Sequence, residues 1–123
     1  SCYIGYNEQL SHQMYAGADF LLMPSRVEPC GLNQMYAMRY GTVPLVRKTG
    51  GLSDTVKDIG EAGGYGITFN YAAVGDITQA IYRAVELYED EKKFHKVRQV
   101  MMGLDFSWDR SAVEYINLYK SLK

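Results

Sequence analysis

Glu28, Pro29, Cys30 and Gly31 stand between an unbroken apolar run, Phe20 to Met23, and a helical stretch that begins near Gly31. Pro29 disfavours helical backbone at Glu28 and keeps that residue extended, which presents its carboxylate to a crevice at the end of a strand. Gly31 permits close backbone approach. The first free amides of the following helix, around Gly31, Leu32 and Asn33, form an anion site with the helix dipole behind it. One carboxylate beside a phosphate-sized cradle of N–H groups suits a sugar bonded to a diphosphate. A second loop, Arg47 to Leu52, pairs Gly50 with Gly51 and adds the Thr49 hydroxyl at the same strand-end edge. A third, Gly5-Tyr6-Asn7, offers a ring able to stack on a planar group. Each residue taken singly also has a plainer reading. Glu28 fits a solvated carboxylate capping the helix, Cys30 a small buried residue, Gly50-Gly51 an ordinary turn, and Tyr6 a core or rim aromatic.

These loops need strands and helices to hold them. Cys2 to Gly5 reads as a short strand, and Asn7 as the N-cap of a helix carrying Leu10 and Met14 and ending near Gly17. Phe20 to Met23, stopped by Pro24, has the pattern of a parallel strand covered on both faces. The helix from Gly31 to Tyr40 is expected to turn Leu32, Met35, Tyr36 and Arg39 to one side, with Gly41 at its C-terminus. Val43 to Arg47 is the next strand, and Pro44 places it at an edge or a strand start. A short helix over Leu52 to Ile59, a glycine-rich link from Gly60 to Gly66 and a small strand, Ile67 to Phe69, follow. Asp76 with Gln79 resembles a capping box opening a helix whose stripe is Ile77, Ala80, Ile81, Ala84, Val85 and Tyr88. The charges from Glu89 to Lys93 interrupt it. A second helix turns Phe94, Val97, Val100 and Met101 inward, and Ser107 caps a last one bearing Ala112, Tyr115, Ile116 and Tyr119. Alternation of β and α over the first two-thirds implies an α/β fold, a Rossmann-like parallel sheet with helices on both faces, ending in helices. In such sheets ligands bind where strands end and helices begin.

Composition removes several classes of function. The 123 residues fit one domain, and 47% apolar with 22% charged residues describes a chain that folds around a core. Thirteen Lys and Arg against fourteen Asp and Glu leave a net charge of −1, so neither nucleic acid nor a membrane surface is an expected partner. No apolar run spans a bilayer, and Ser1 opens neither a basic n-region nor an h-region. Cys2 and Cys30 make no disulfide framework or zinc spacing, which points to a reducing cytoplasm and to no metal or cofactor. The eleven tyrosines, Tyr6 apart, are expected mostly in the core, as are Met35 and Met38; His12 and His95 read as surface residues.

The run Ala18 to Val56, ADFLLMPSRVEPCGLNQMYAMRYGTVPLVRKTGGLSDTV, resembles the C-terminal half of bacterial glycogen synthases and plant starch synthases, retaining glucosyltransferases of the two-domain GT-B type. The likeness extends to Ile4-Gly5-Tyr6 and, more loosely, through Asp105-Phe106-Ser107-Trp108 to the terminal helix. It implies that residues 1–123 are part of the C-terminal, donor-nucleotide-binding domain of an enzyme moving glucose from ADP-glucose to the non-reducing end of an α-1,4-glucan. On that likeness Glu28 is the essential acidic residue beside the donor sugar. Cys30, Gly31, Leu32 and Asn33 hold the donor phosphates, Tyr6 stacks on the adenine, and Lys48 to Leu52 is a KTGGL sequence that includes Thr49, Gly50 and Gly51. Related retaining transferases carry a second Glu eight residues after the first; Tyr36 stands there, as in the starch and glycogen synthase group. Asn33 departs from the Thr common among relatives, at a contact expected through backbone. The likeness also implies that an acceptor domain and the Arg and Lys used on the diphosphate lie outside this chain. The chain alone is then expected to be inactive and to cover its open sheet edge by self-association, most simply as a dimer. Other readings are a stand-alone nucleotide-binding or regulatory α/β module and another retaining GT-B sugar transferase.

Overall fold

A computed structural model describes residues 1–122. The elements in chain order are α1 (Glu8–Gly17), β1 (Phe20–Met23), α2 (Asn33–Tyr40), β2 (Val43–Arg47), α3 (Gly50–Thr55), β3 (Ile67–Phe69), α4 (Val74–Glu89), α5 (Glu91–Met102) and α6 (Trp108–Ser121). The three strands form one parallel sheet in the order β1-β2-β3, with Leu22 opposite Leu45 and Leu45 opposite Ile67. Val43, Pro44, Leu45 and Val46 of β2 are all buried, so consecutive side chains find cover on both faces, as a parallel strand between helical layers requires. The α/β class expected from the sequence is the one observed. Met38, Leu52, Ile67 and Met101 lie at the centre of the core. No described helix is long and apolar enough to cross a membrane.

Local signals account for several boundaries. Asn7 caps α1 by accepting the Leu10 amide at 2.9 Å, and Gly41 ends α2 in the left-handed region at φ 87°. Asp90 breaks the long C-terminal run and restarts it, accepting the Lys93 amide at 3.0 Å. The buried Thr42 hydroxyl lies 2.8 Å from the Ala18 carbonyl, on which it donates, and ties the end of α1 to the start of β2.

Other expectations are corrected. Cys2 to Gly5 forms no strand; its residues are exposed, and no described strand lies alongside to take its hydrogen bonds. Of the two places expected for Pro44 the strand start is the one observed, since it is the second residue of β2, and the edge is not, since β2 is the central strand. The Val43 amide donates to Asp19 on the β1 side, so the Pro44 nitrogen faces β3, whose pairing starts one position later, and no ladder bond is lost. The helix after Gly50-Gly51 ends at Thr55 instead of Ile59, since Val56 is extended and Asp58 is drawn to β3. Asp76 lies within the first turn of α4 and does not cap it; its Oδ2 accepts the Tyr71 amide at 3.0 Å, and α4 starts at Val74.

The buried face of α2 is Gln34, Ala37 and Met38, while Leu32, Tyr36 and Arg39 of the expected stripe are exposed and Met35 is half-buried. In α4 the buried residues are Ala80, Ala84 and Leu87, with Ile81, Val85 and Tyr88 exposed. Val100 of α5 is exposed as well. The apolar positions of α6 are present, yet none of its residues is buried. No tyrosine belongs to the core; nine are exposed, and only Tyr15 and Tyr65 are half-buried. His12 is half-buried instead of free on the surface, ringed by Tyr15, Tyr36 and Tyr40 at centroid distances of 6.0, 5.5 and 5.8 Å.

Candidate functional site

The loop after β1, residues 24–32, and the turn after β2 leave the same end of the sheet and meet there. The Gly51 amide donates to the Pro29 carbonyl at 3.1 Å. Gly50 has φ 45°, a conformation that a side chain would strain. A Cβ on Gly50 would meet the Glu28 carbonyl, and one on Gly51 would stand 2.7 Å from Cys30 Cα. The paired glycines thus let two backbones touch, and the surface they approach is the Glu28 loop itself. That use is not visible in the sequence, where the partner of a glycine pair is unspecified.

Arg47, the last residue of β2, draws three strand ends together. Its Nη1 donates to the Arg26 carbonyl at 2.7 Å and the Ser25 carbonyl at 3.4 Å, and its Nε to the Asn70 carbonyl beyond β3 at 3.0 Å. The sequence places Arg47 at the end of a strand and the start of the glycine loop and assigns it no role. An Arg closing a β-strand beside two loops was the one available hint. The guanidinium spreads five donors over three nitrogens in a fixed plane, so Nη1 and Nε reach carbonyls on opposite sides, whereas a Lys carries its three donors on a single nitrogen.

Glu28 is half-buried between these fastenings, while Cys30 is exposed rather than packed inside. Gly31 sits at φ 74° two residues before α2, which starts at Asn33 and not at Gly31 as expected; the first amides of the helix, at Asn33 to Met35, precede the first intrahelical bond, Tyr36 N–H to the Leu32 carbonyl. Leu32 is the N-cap and supplies no side-chain acceptor, so the helix start keeps donors for an external acceptor. Thr49 is the N-cap of α3 in extended conformation, and its hydroxyl bonds no helix amide. Glu28, Cys30, Gly31, Leu32, Asn33, Thr49, Gly50 and Gly51 therefore share one edge of the sheet. Tyr6 lies before α1, 89% exposed, with no ring partner among the described residues.

Two features stand apart from this edge. Partial burial pushes the Asp58 carboxyl up, but Arg83 Nη2, the amides of Gly60 and Thr68 and the Thr68 hydroxyl outweigh it and bring the group down to about 2. This cluster joins the segment after α3 to β3 and α4. A groove of about 580 Å³ runs between α2 and residues 104–108, with Arg39, Phe106 and Trp108 on its walls; it shares only Leu32 with the Glu28 loop.

Residues 2–99 match the family of glycosyl transferases group 1. The chain belongs to that family. It is 60% identical over 117 residues to a glycogen synthase of Flavobacterium johnsoniae, covering 95% of this chain and 24% of the relative. Against a glycogen synthase of Aquifex aeolicus the identity is 54% over 118 residues, or 96% of this chain and 25% of the relative. The structure resembles the catalytic domain of starch synthase IV from Arabidopsis thaliana bound to ADP and acarbose, with TM-score 0.88 and 44% identity over 96% of this chain and 25% of that one. A sucrose-phosphate synthase of Thermosynechococcus elongatus is more distant, with TM-score 0.59 and 27% identity over 88% of this chain and 26% of that one. The chain thus spans about a quarter of the length of the proteins it matches.

Proposed function

We propose that the full-length protein containing this chain transfers glucose from ADP-glucose to the non-reducing end of an α-1,4-glucan with retention of configuration. In this reading the chain is the donor-nucleotide part of its C-terminal domain, working in the cytoplasm. The observation that carries the reading is the Glu28 loop, seated on Gly50-Gly51 at the strand-end edge of a chain 60% identical to a glycogen synthase. The Arabidopsis relative's bound ADP supports adenine as the base of the donor.

The reaction separates charge, and the site's residues answer each half of it. Departure of the diphosphate builds negative charge on its oxygens, which the backbone amides of Cys30 to Asn33 and the Thr49 hydroxyl stabilise. Backbone amides are held by the fold before reaction, so they need little reorganisation. The sugar ring becomes positive, and Glu28 stabilises it and holds the ring hydroxyls. The proton of the acceptor hydroxyl passes to the departing phosphate on the same face, which requires no enzymatic nucleophile. Tyr6 stacks on the adenine and fixes the far end of the donor. The chain by itself is inactive and self-associates: β1 ends the described sheet, and Leu22 on it is exposed. Incorporation of glucose into glycogen by the full-length protein, faster from ADP-glucose than from UDP-glucose, is the expected result. Absence of incorporation from either donor would refute the reading.

A further inference from the structure

Gln34 is a polar side chain with no solvent exposure, placed one residue into α2. Its Nε2 donates to the Gly31 carbonyl at 2.8 Å, the Thr55 hydroxyl oxygen at 3.0 Å and the Cys30 carbonyl at 3.3 Å. Thr55 commits its own hydrogen to the Gly51 carbonyl at 2.6 Å, so toward Gln34 it can only accept. All three neighbours of Nε2 are therefore acceptors, and this settles which end of the amide faces them. The other end, Oε1, is buried without a partner. It lies 2.6 Å from where a Cβ on Gly31 would stand, so a side chain there would displace it.

An unpartnered buried acceptor is unfavourable, and an apolar side chain of the same length would avoid it. What Gln34 provides in exchange is attachment. A continuous line of hydrogen bonds runs from the Cys30 and Gly31 carbonyls through Gln34 and Thr55 to the Gly51 carbonyl on α3. Arg47 holds the same loop at Ser25 and Arg26. Glu28 lies between the two anchors.

We propose that Gln34 is a positioning residue which, through Thr55, fastens the Glu28 loop to α3 and sets Glu28 for the transfer step. The inference rests on the role given to Glu28 above and adds the device that aims it. Glu28 touches the sugar; Gln34 acts through it.

The test uses the full-length protein with Gln34→Met, Glu28→Gln and both together, assayed with ADP-glucose and glycogen. Gln34→Met keeps length and removes the donors. It is expected to lower kcat roughly tenfold or more while KM for the donor changes by less than about threefold, since a misaimed carboxylate weakens the transition state and not ground-state binding. In the Glu28→Gln background the same substitution is expected to cost less than about twofold, because its effect passes through Glu28. Thr55→Val cuts only the link to α3 and is expected to lower kcat in the same direction by a smaller factor. It also decides the question should Gln34→Met not fold. Unchanged kcat in both single variants, or an equal loss with and without Glu28, would overturn the positioning role alone. An unchanged kcat in Glu28→Gln would overturn the reading of Glu28 and this inference with it.

Discussion

Gly51→Ala adds one methyl group where the loop carrying Glu28 meets α3. Gly51 does not have positive φ, so alanine is acceptable to the local backbone and the consequence arises from contact alone. The new Cβ would stand 2.7 Å from Cys30 Cα and 2.8 Å from the Cys30 carbonyl carbon, and closer still to the carbonyl oxygen. Carbon atoms settle at about 3.5–4.0 Å, so the Cys30 backbone must retreat by roughly 1 Å. Overpacking of that kind costs about 1–3 kcal/mol of stability. A displacement of about 1 Å at a group that positions substrate costs on the order of a hundredfold in rate. The Gly51 amide bond to the Pro29 carbonyl would stretch with it. Initial-rate kinetics and thermal unfolding of the full-length protein measure both quantities, with Gly17→Ala as control, because a Cβ on Gly17 meets nothing within 4 Å. The expected result is a kcat lowered about a hundredfold for Gly51→Ala and unchanged for Gly17→Ala. A Gly51→Ala protein with full kcat and unaltered stability would refute the claim that these glycines exist for the contact with the Glu28 loop.

Asp58→Asn removes a carboxylate whose folded pKa, about 2, lies below its ordinary value of 3.8. The depression contributes stability that is present above pH 4 and lost as pH falls from about 4 toward 2. Nearly two pK units set a ceiling near 2.5 kcal/mol, and the part-exposed Arg83 partner reduces it to roughly 1–2 kcal/mol at pH 7. Unfolding of wild type and variant should differ by that amount at neutral pH and converge in acid; a pH-independent difference would contradict it. Tyr6→Ala is expected to raise KM for ADP-glucose about tenfold with kcat within twofold, as loss of stacking on the base removes binding common to ground and transition states. Steady-state kinetics decide it, and a fall in kcat at constant KM would count against the stacking role.

Strands were legible where short apolar stretches stand between turn residues. Phe20 to Met23, Val43 to Arg47 and Ile67 to Phe69 are each observed at the expected bounds; in β2 and β3 burial on both faces leaves no room for alternation, while β1 keeps its apolar run although Leu22 is exposed. The helix faces were less legible. Periodicity weighs side chains by polarity, and the buried face of α2 is led by Gln34, whose burial depends on the Cys30 and Gly31 carbonyls just before the helix and on Thr55, 21 residues away. Tyrosine misled in the opposite sense: its ring scores as apolar, yet the hydroxyl keeps it at the surface, as Tyr82 and Tyr88 on α4 show. At the site, residue types indicated the Glu28 loop and the glycine pair separately. Their contact is tertiary information, as is the reach of Arg47 across three strand ends. α6 has the period of a buried helix, but its apolar side chains find no burial within this chain.

The role of Glu28 is tested most directly by kcat for glucose transfer from ADP-glucose to glycogen in the full-length protein, wild type against Glu28→Gln, with ADP affinity measured alongside. Loss of the charge that stabilises the positive sugar ring should lower kcat by about a thousandfold and leave ADP binding within about twofold. A Glu28→Gln enzyme that retains wild-type kcat would contradict the account.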